Sequence, residues 1–201
     1  MRRVKQHFKV NDPVVYSVIK KGYKLEKLRP IDEKDYFLRL VREIIFQQLS
    51  GKAGNTIYSR FEQLFPQKKV TPANVLAKSP EEIRKAGVSN AKARYIHNLA
   101  EAVVCKSLRF QEYKNMGNEE IAKNLIQVKG IGRWTAEMFL MFSMGREDLF
   151  SHGDVGLRNG LMRLYGLKGK PTTEDVEKII YRWSPYKTYG CLLLWGSLEQ
   201  D

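Results

Sequence analysis

Apolar residues recur at helical spacing along almost the whole chain, and that period restricts the fold more than any other feature of the sequence. Between Asp35 and Ser50, residues Tyr36, Phe37, Leu40, Val41, Ile44, Ile45 and Leu49 fall on one i, i+3, i+4 stripe. Ala53, Ile57, Phe61, Leu64 and Phe65 repeat it until Pro66 stops the helix. Ser79-Pro80-Glu81-Glu82 has the composition of a helix start, with an N-cap hydroxyl, proline in the first turn and acids beside the helix dipole. Further helices are predicted over 90–104, 118–128, 133–144, 155–165, 173–183 and 187–198. Strand-like alternation is confined to Pro13–Ile19, where a helix fits equally well. The pattern predicts an all-α protein of about ten helices joined by short loops.

Charge narrows the partner. The 201 residues include 35 Lys plus Arg against 22 Asp plus Glu, a formal net charge of +13, which suits a polyanion and nucleic acid first. Cys105 and Cys191 are too few for a disulfide framework or a four-cysteine iron–sulfur cluster, and both are expected as reduced core residues. His7, His97 and His152 are scattered without metal-ligand spacing, which disfavours a metalloenzyme. No apolar run approaches the roughly 18 residues of a membrane span. The N-terminal MRRVKQHFKV lacks the apolar core of a signal peptide. An intracellular protein is expected, in the cytoplasm or nucleoid, or the nucleus of a eukaryote.

The segment Leu125-Ile126-Gln127-Val128-Lys129-Gly130-Ile131-Gly132-Arg133-Trp134-Thr135-Ala136 separates two helices by a G-x-G turn. Glycines there let the backbone approach a ligand closely, and the free N–H groups at the next helix start suit a phosphate oxygen. Lys129 and Arg133 add positive charge on either side, and Ile131 is placed to anchor the turn in the core.

This segment resembles the DNA-binding hairpin of helix-hairpin-helix base-excision glycosylases, and the likeness runs in order over roughly residues 35–200. Ile44-Ile45-Phe46-Gln47-Gln48-Leu49-Ser50 is similar to that family's glutamine-rich element, and Val88–Tyr95 to its next helix start. Phe150-Ser151-His152-Gly153-Asp154-Val155-Gly156-Leu157-Arg158 resembles the loop that presents a catalytic aspartate. Residues 183–195 resemble the closing helix of the DNA-3-methyladenine glycosylase II branch. The resemblance implies one two-lobed domain with the active-site cleft between lobes. The central lobe would cover about 36–150 with the hairpin at 125–136, and the terminal lobe about 1–35 plus 155–201.

It also implies a chemistry. Asp154 would be the catalytic carboxylate, Trp134, Trp195, His152 and Met138 the base pocket, and Gln48 the side chain that intercalates in the gap left by a flipped nucleotide. Lys129, Gly130, Ile131, Gly132, Arg133, Thr135, Lys52 and Arg158 would face the DNA backbone. Strand-cleaving members carry a lysine where this chain has Trp134, so a monofunctional enzyme is implied, leaving an abasic site. The family alone suggests a structural Na+ or K+ at the backbone carbonyls of Val128 and Ile131; no cofactor is otherwise required. The expected enzyme is a monomer acting on double-stranded DNA with alkylated purines of the 3-methyladenine and 7-methylguanine type. The alternatives are a glycosylase for deaminated bases (uracil, hypoxanthine) and a non-catalytic DNA-binding module. Met138 departs from the tyrosine of the best-known alkylpurine enzyme, and that leaves substrate range open.

Overall fold

The structure is a computed structural model that describes residues 1–199. Twelve α-helices make up the described chain: α1 (Arg2–Asn11), α2 (Pro13–Lys20), α3 (Tyr36–Phe46), α4 (Gly51–Gln63), α5 (Pro72–Leu76), α6 (Pro80–Arg84), α7 (Asn90–Val104), α8 (Asn118–Ile126), α9 (Arg133–Phe142), α10 (Val155–Tyr165), α11 (Thr173–Ile180) and α12 (Lys187–Leu198). Short 3-10 turns join some of them, and the described residues contain no strand. The segment from Pro13 is therefore helical. Asp12 accepts the Val15 N–H as N-cap and Pro13 occupies the first turn, so capping decides against the strand.

One compact unit is Ile31–Phe139. Its centre is the stripe read from the sequence: Leu40, Val41, Ile44 and Ile45 of α3 are fully buried, as are Ala93, Ile96, Leu99 and Ala100 of α7. Each large aliphatic side chain so buried contributes about 1.5–3 kcal/mol. The Ser79 hydroxyl accepts the Glu82 N–H while the Glu82 carboxylate accepts the Ser79 N–H at 2.8 Å, closing the capping box that starts α6. Two expectations fail here. α3 stops at Phe46, not Ser50, because the backbone leaves the helix at Gln47, with ψ 127°, and Gln48 follows in a left-handed φ of +57°. Cys105 is exposed, since α7 ends at Val104 just before it.

The other unit is Met1–Pro30 with Leu140–Asp201. Trp183 is fully buried against the rings of Phe8 and Phe150. Its Nε1 donates at 2.8 Å to Asp12, a carboxylate 1% exposed that also accepts the Tyr165 hydroxyl at 2.6 Å. Burial and that hydrogen bond both push the Tyr165 hydroxyl well above the ordinary tyrosine pKa. α10 packs on α12 at Gly160, where a Cβ would lie 2.9 Å from Leu194 Cβ.

Candidate functional site

The hairpin between α8 and α9 has two glycines with different reasons for being glycine. Gly130 has φ +111°, and a Cβ there would lie 2.2 Å from the Tyr95 ring, so the fold itself requires glycine. Gly132 is outside the left-handed region and a Cβ on it would meet nothing within 4 Å. Nothing within the chain calls for glycine at 132; open space beside the α9 N-terminus does suit close approach of a ligand. Val128 and Ile131 are buried and anchor the turn, with the Ile131 N–H donating to the Val128 carbonyl at 2.9 Å.

The charged and aromatic residues around this turn divide. Lys129 is exposed, and its carbonyl accepts Asn98 Nδ2 at 3.2 Å. Arg133 is paired within the chain. Its guanidinium makes paired bonds of 2.9 and 2.6 Å to Glu119, and its Nε bonds Glu137 at 2.7 Å. Both carboxylates hold its proton more firmly than usual. Thr135 is buried, which leaves its backbone rather than its hydroxyl for any backbone phosphate. Trp134 is 44% exposed, whereas Met138, one turn further along α9, is buried. Lys52 is exposed in the first turn of α4.

The glutamine-rich element lies against the hairpin through Gln47, which the sequence did not single out. Gln47 Nε2 donates to the Gly130 carbonyl at 3.0 Å and lies 3.5 Å from Thr135 Oγ1. Lys92, from the start of α7, donates from Nζ to the carbonyls of Ile45 at 2.9 Å and Gln47 at 2.5 Å. Partial burial lowers the Lys92 pKa. Gln48 itself is exposed. Two adjacent glutamines closing an apolar stripe, with a lysine in a later helix start, were the only local signals of this arrangement.

In the other unit Asp154 is the N-cap of α10 and is 8% exposed. Its Oδ1 accepts the Leu157 N–H at 2.7 Å and the Trp195 indole N–H at 3.1 Å. Gly156 makes this possible: a Cβ there would lie 3.0 Å from Trp195 Nε1 and 3.1 Å from Asp154 Oδ1. Trp195 stacks at a tilt on Phe142, with centroids 5.9 Å apart. A cavity of about 220 Å³ is lined by Asp154, His152, Arg158, Lys170 and Phe150 among others. His152 points its Nε2 at Glu177, 2.9 Å away, and packs edge-on against Phe150. Thus Asp154, Trp195, His152 and Arg158 lie in one neighbourhood, and Trp134, Met138, Gln48, Lys129 and Gly132 belong to the other unit. Among the described residues no cluster of His, Cys, Asp and Glu is arranged to hold a metal ion, and no helix is long and apolar enough to cross a membrane.

Among the described residues all regular structure is helical, with two of the helices joined by a G-x-G hairpin and an aspartate capping a later one, the architecture of a helix-hairpin-helix protein. Residues 41–185 match the model of the HhH-GPD superfamily of base excision DNA repair proteins, and the chain belongs to that superfamily. It is 32% identical to the alkylbase DNA glycosidase-like protein mag2 of Schizosaccharomyces pombe, over 96% of this chain and 92% of that protein. Among solved structures, a DNA-3-methyladenine glycosidase from Bacillus halodurans is 37% identical with a TM-score of 0.84, covering 97% of this chain and 88% of that one. The 3-methyladenine DNA glycosylase Mag1 of Schizosaccharomyces pombe, in complex with abasic DNA, is 30% identical with a TM-score of 0.85, covering 98% and 97%.

Proposed function

We propose that this chain is a DNA glycosylase that hydrolyses the N-glycosidic bond of alkylated purines in double-stranded DNA, within base excision repair and inside the cell. The observation that carries the chemistry is Asp154: a carboxylate held nearly out of solvent at a helix N-terminus, oriented by the Trp195 indole and the Leu157 N–H. Relatives named as 3-methyladenine glycosylases support the substrate class.

The damaged nucleotide must leave the stack before it can be attacked. As its C1′–N bond lengthens, positive charge grows on the sugar and the electron pair leaves with the purine. A carboxylate about 4 Å from that charge stabilises it by on the order of 4 kcal/mol at an effective dielectric of about 20, against about 1 kcal/mol in bulk water. The burial of Asp154 is what places it nearer the first regime. The carboxylate then orients water, or takes its proton, for attack at C1′. An alkylated purine is itself cationic, so it leaves without strong acid catalysis and is attracted to an indole face; Trp134 and Trp195 are the proposed rings, and Met138 and His152 belong to the same proposal. Trp134 offers no amine for a Schiff base, so the product is an abasic site.

Hairpin N–H groups beside Gly132, with Lys129, grip a phosphate, and binding weakens with salt by about 0.9 in log K per neutralised phosphate. Lys52 and Arg158 belong to the same proposal; Arg133 acts through its pairs with Glu119 and Glu137, which brace the start of α9. The Na+ or K+ of this proposal would rest on the backbone carbonyls of Val128 and Ile131; the Val128 carbonyl, which accepts the Ile131 N–H at 2.9 Å, has a second lone pair for it.

The deciding experiment is base release from duplexes carrying 3-methyladenine, 7-methylguanine, hypoxanthine or uracil, with alkali added afterwards to cut at abasic sites. Alkylpurine release with strand cleavage only after alkali is expected. Release of uracil or hypoxanthine alone moves the protein to deaminated bases with the same mechanism. Binding of damaged DNA with no release makes it a DNA-holding module.

A further inference from the structure

The turn between α3 and α4 is held from two sides. Gln48 has φ +57°, a left-handed conformation that a glutamine keeps only where its surroundings impose it. Glycine or asparagine would sit there with less strain, so a long amide side chain, exposed at that point, suggests a use for the side chain itself. The Lys92 ammonium grips the carbonyls of Ile45 and Gln47, at the negative end of α3. The Gln47 amide reaches the Gly130 carbonyl inside the hairpin. The residue before Gln48 is thereby tied at its backbone to α7 and at its side chain to the hairpin.

We infer that Lys92 and Gln47 are positioning residues that lock the Gln48 turn to the hairpin, so that seating the hairpin on the DNA backbone delivers the Gln48 amide into the stack at a fixed offset. This rests on the glycosylase reading above and on Gln48 as the intercalating side chain that the family resemblance implies. Gln48 does its work when a lesion has to be drawn out of a paired stack and the gap held open. A lesion already unpaired has no such gap to fill. Lys92 acts on the reaction only through Gln48.

The test is single-turnover release of 7-methylguanine from a fully paired duplex and from an unpaired bubble, by wild type, Lys92→Met, Gln48→Ala and the double variant. Thermal melting of each confirms folding; if Lys92→Met does not fold, Lys92→Gln, shorter and uncharged, replaces it. Lys92→Met is expected to slow release from the paired duplex at least about tenfold and from the bubble less than about twofold. In the Gln48→Ala background it should add nothing, as two changes acting through one group do. Equal loss on both substrates, or a full Lys92 effect without Gln48, overturns the proposal while leaving an active glycosylase. A wild type that releases no base from either substrate overturns it together with the glycosylase reading.

Discussion

The indole N–H of Trp195 donates to Oδ1 of Asp154 at 3.1 Å, the same oxygen that accepts the Leu157 N–H at 2.7 Å. One carboxylate oxygen is therefore both the cap of α10 and the partner of a tryptophan on α12. Replacing Trp195 with phenylalanine keeps the ring and removes the donor. A hydrogen bond to a charged group is worth about 1.5–3 kcal/mol, so single-turnover base release should fall roughly tenfold to a hundredfold. An unchanged rate would mean that the indole N–H does not orient the carboxylate for the proposed chemistry.

Asp154→Asn separates the cap from the charge. Asparagine caps a helix as well as aspartate does, so the melting temperature should hardly move. Loss of about 4 kcal/mol of charge stabilisation corresponds to roughly a thousandfold slower release. Affinity for a duplex with an abasic analogue, measured by fluorescence anisotropy, should survive. If release persists, the chemistry belongs to another residue.

The two hairpin glycines should respond oppositely to alanine. Gly130→Ala must accommodate φ +111° and a Cβ 2.2 Å from Cγ of Tyr95, so the protein should lose several kcal/mol, of the order of 3, in urea unfolding. Gly132→Ala meets no atom of the chain and should cost no more than about 1 kcal/mol, while DNA affinity drops at least about tenfold. Normal DNA binding by Gly132→Ala would remove the hairpin from the interface.

Asp12→Ala tests the buried hub of the Met1–Pro30 and Leu140–Asp201 unit. Trp183 Nε1 and the Tyr165 hydroxyl would lose their acceptor where water does not reach, at a cost of about 2–5 kcal/mol. Asp12→Asn keeps one acceptor oxygen and should lose less. The ratio of the two losses, read from urea midpoints, checks the account.

Alkaline pH should destabilise the protein through its buried phenols. Burial raises the pKa of Tyr113 and Tyr165 above the ordinary value of 10.0. Above that pH the unfolded chain releases protons that the folded chain retains, so this contribution is complete below about pH 10 and is lost as pH rises further. Urea midpoints from pH 8 to 11 should fall at the top of the range, and Tyr113→Phe with Tyr165→Phe should flatten the fall. An unaltered slope in that double variant would refute the burial argument.

What the sequence determined by itself was local. The i, i+3, i+4 stripe marked α3 and α7, Ser79 with Glu82 marked the start of α6, and the G-x-G turn marked the hairpin, because each depends on neighbours within about one or two helical turns. Asp154 was visible as a helix opener for the same reason. Tertiary structure decided what distance in sequence conceals. The apolar stripe runs on to Leu49, but α3 ends at Phe46, where Lys92, 45 positions beyond Gln47, holds the carbonyls of Ile45 and Gln47. Nor does any local pattern show that Arg133 is paired with Glu119, 14 positions earlier. Trp195 gains its meaning from Asp154, 41 positions away. Helical period and capping are written in adjacent residues; the partner of a charged or hydrogen-bonding side chain is chosen by packing, which no local pattern encodes.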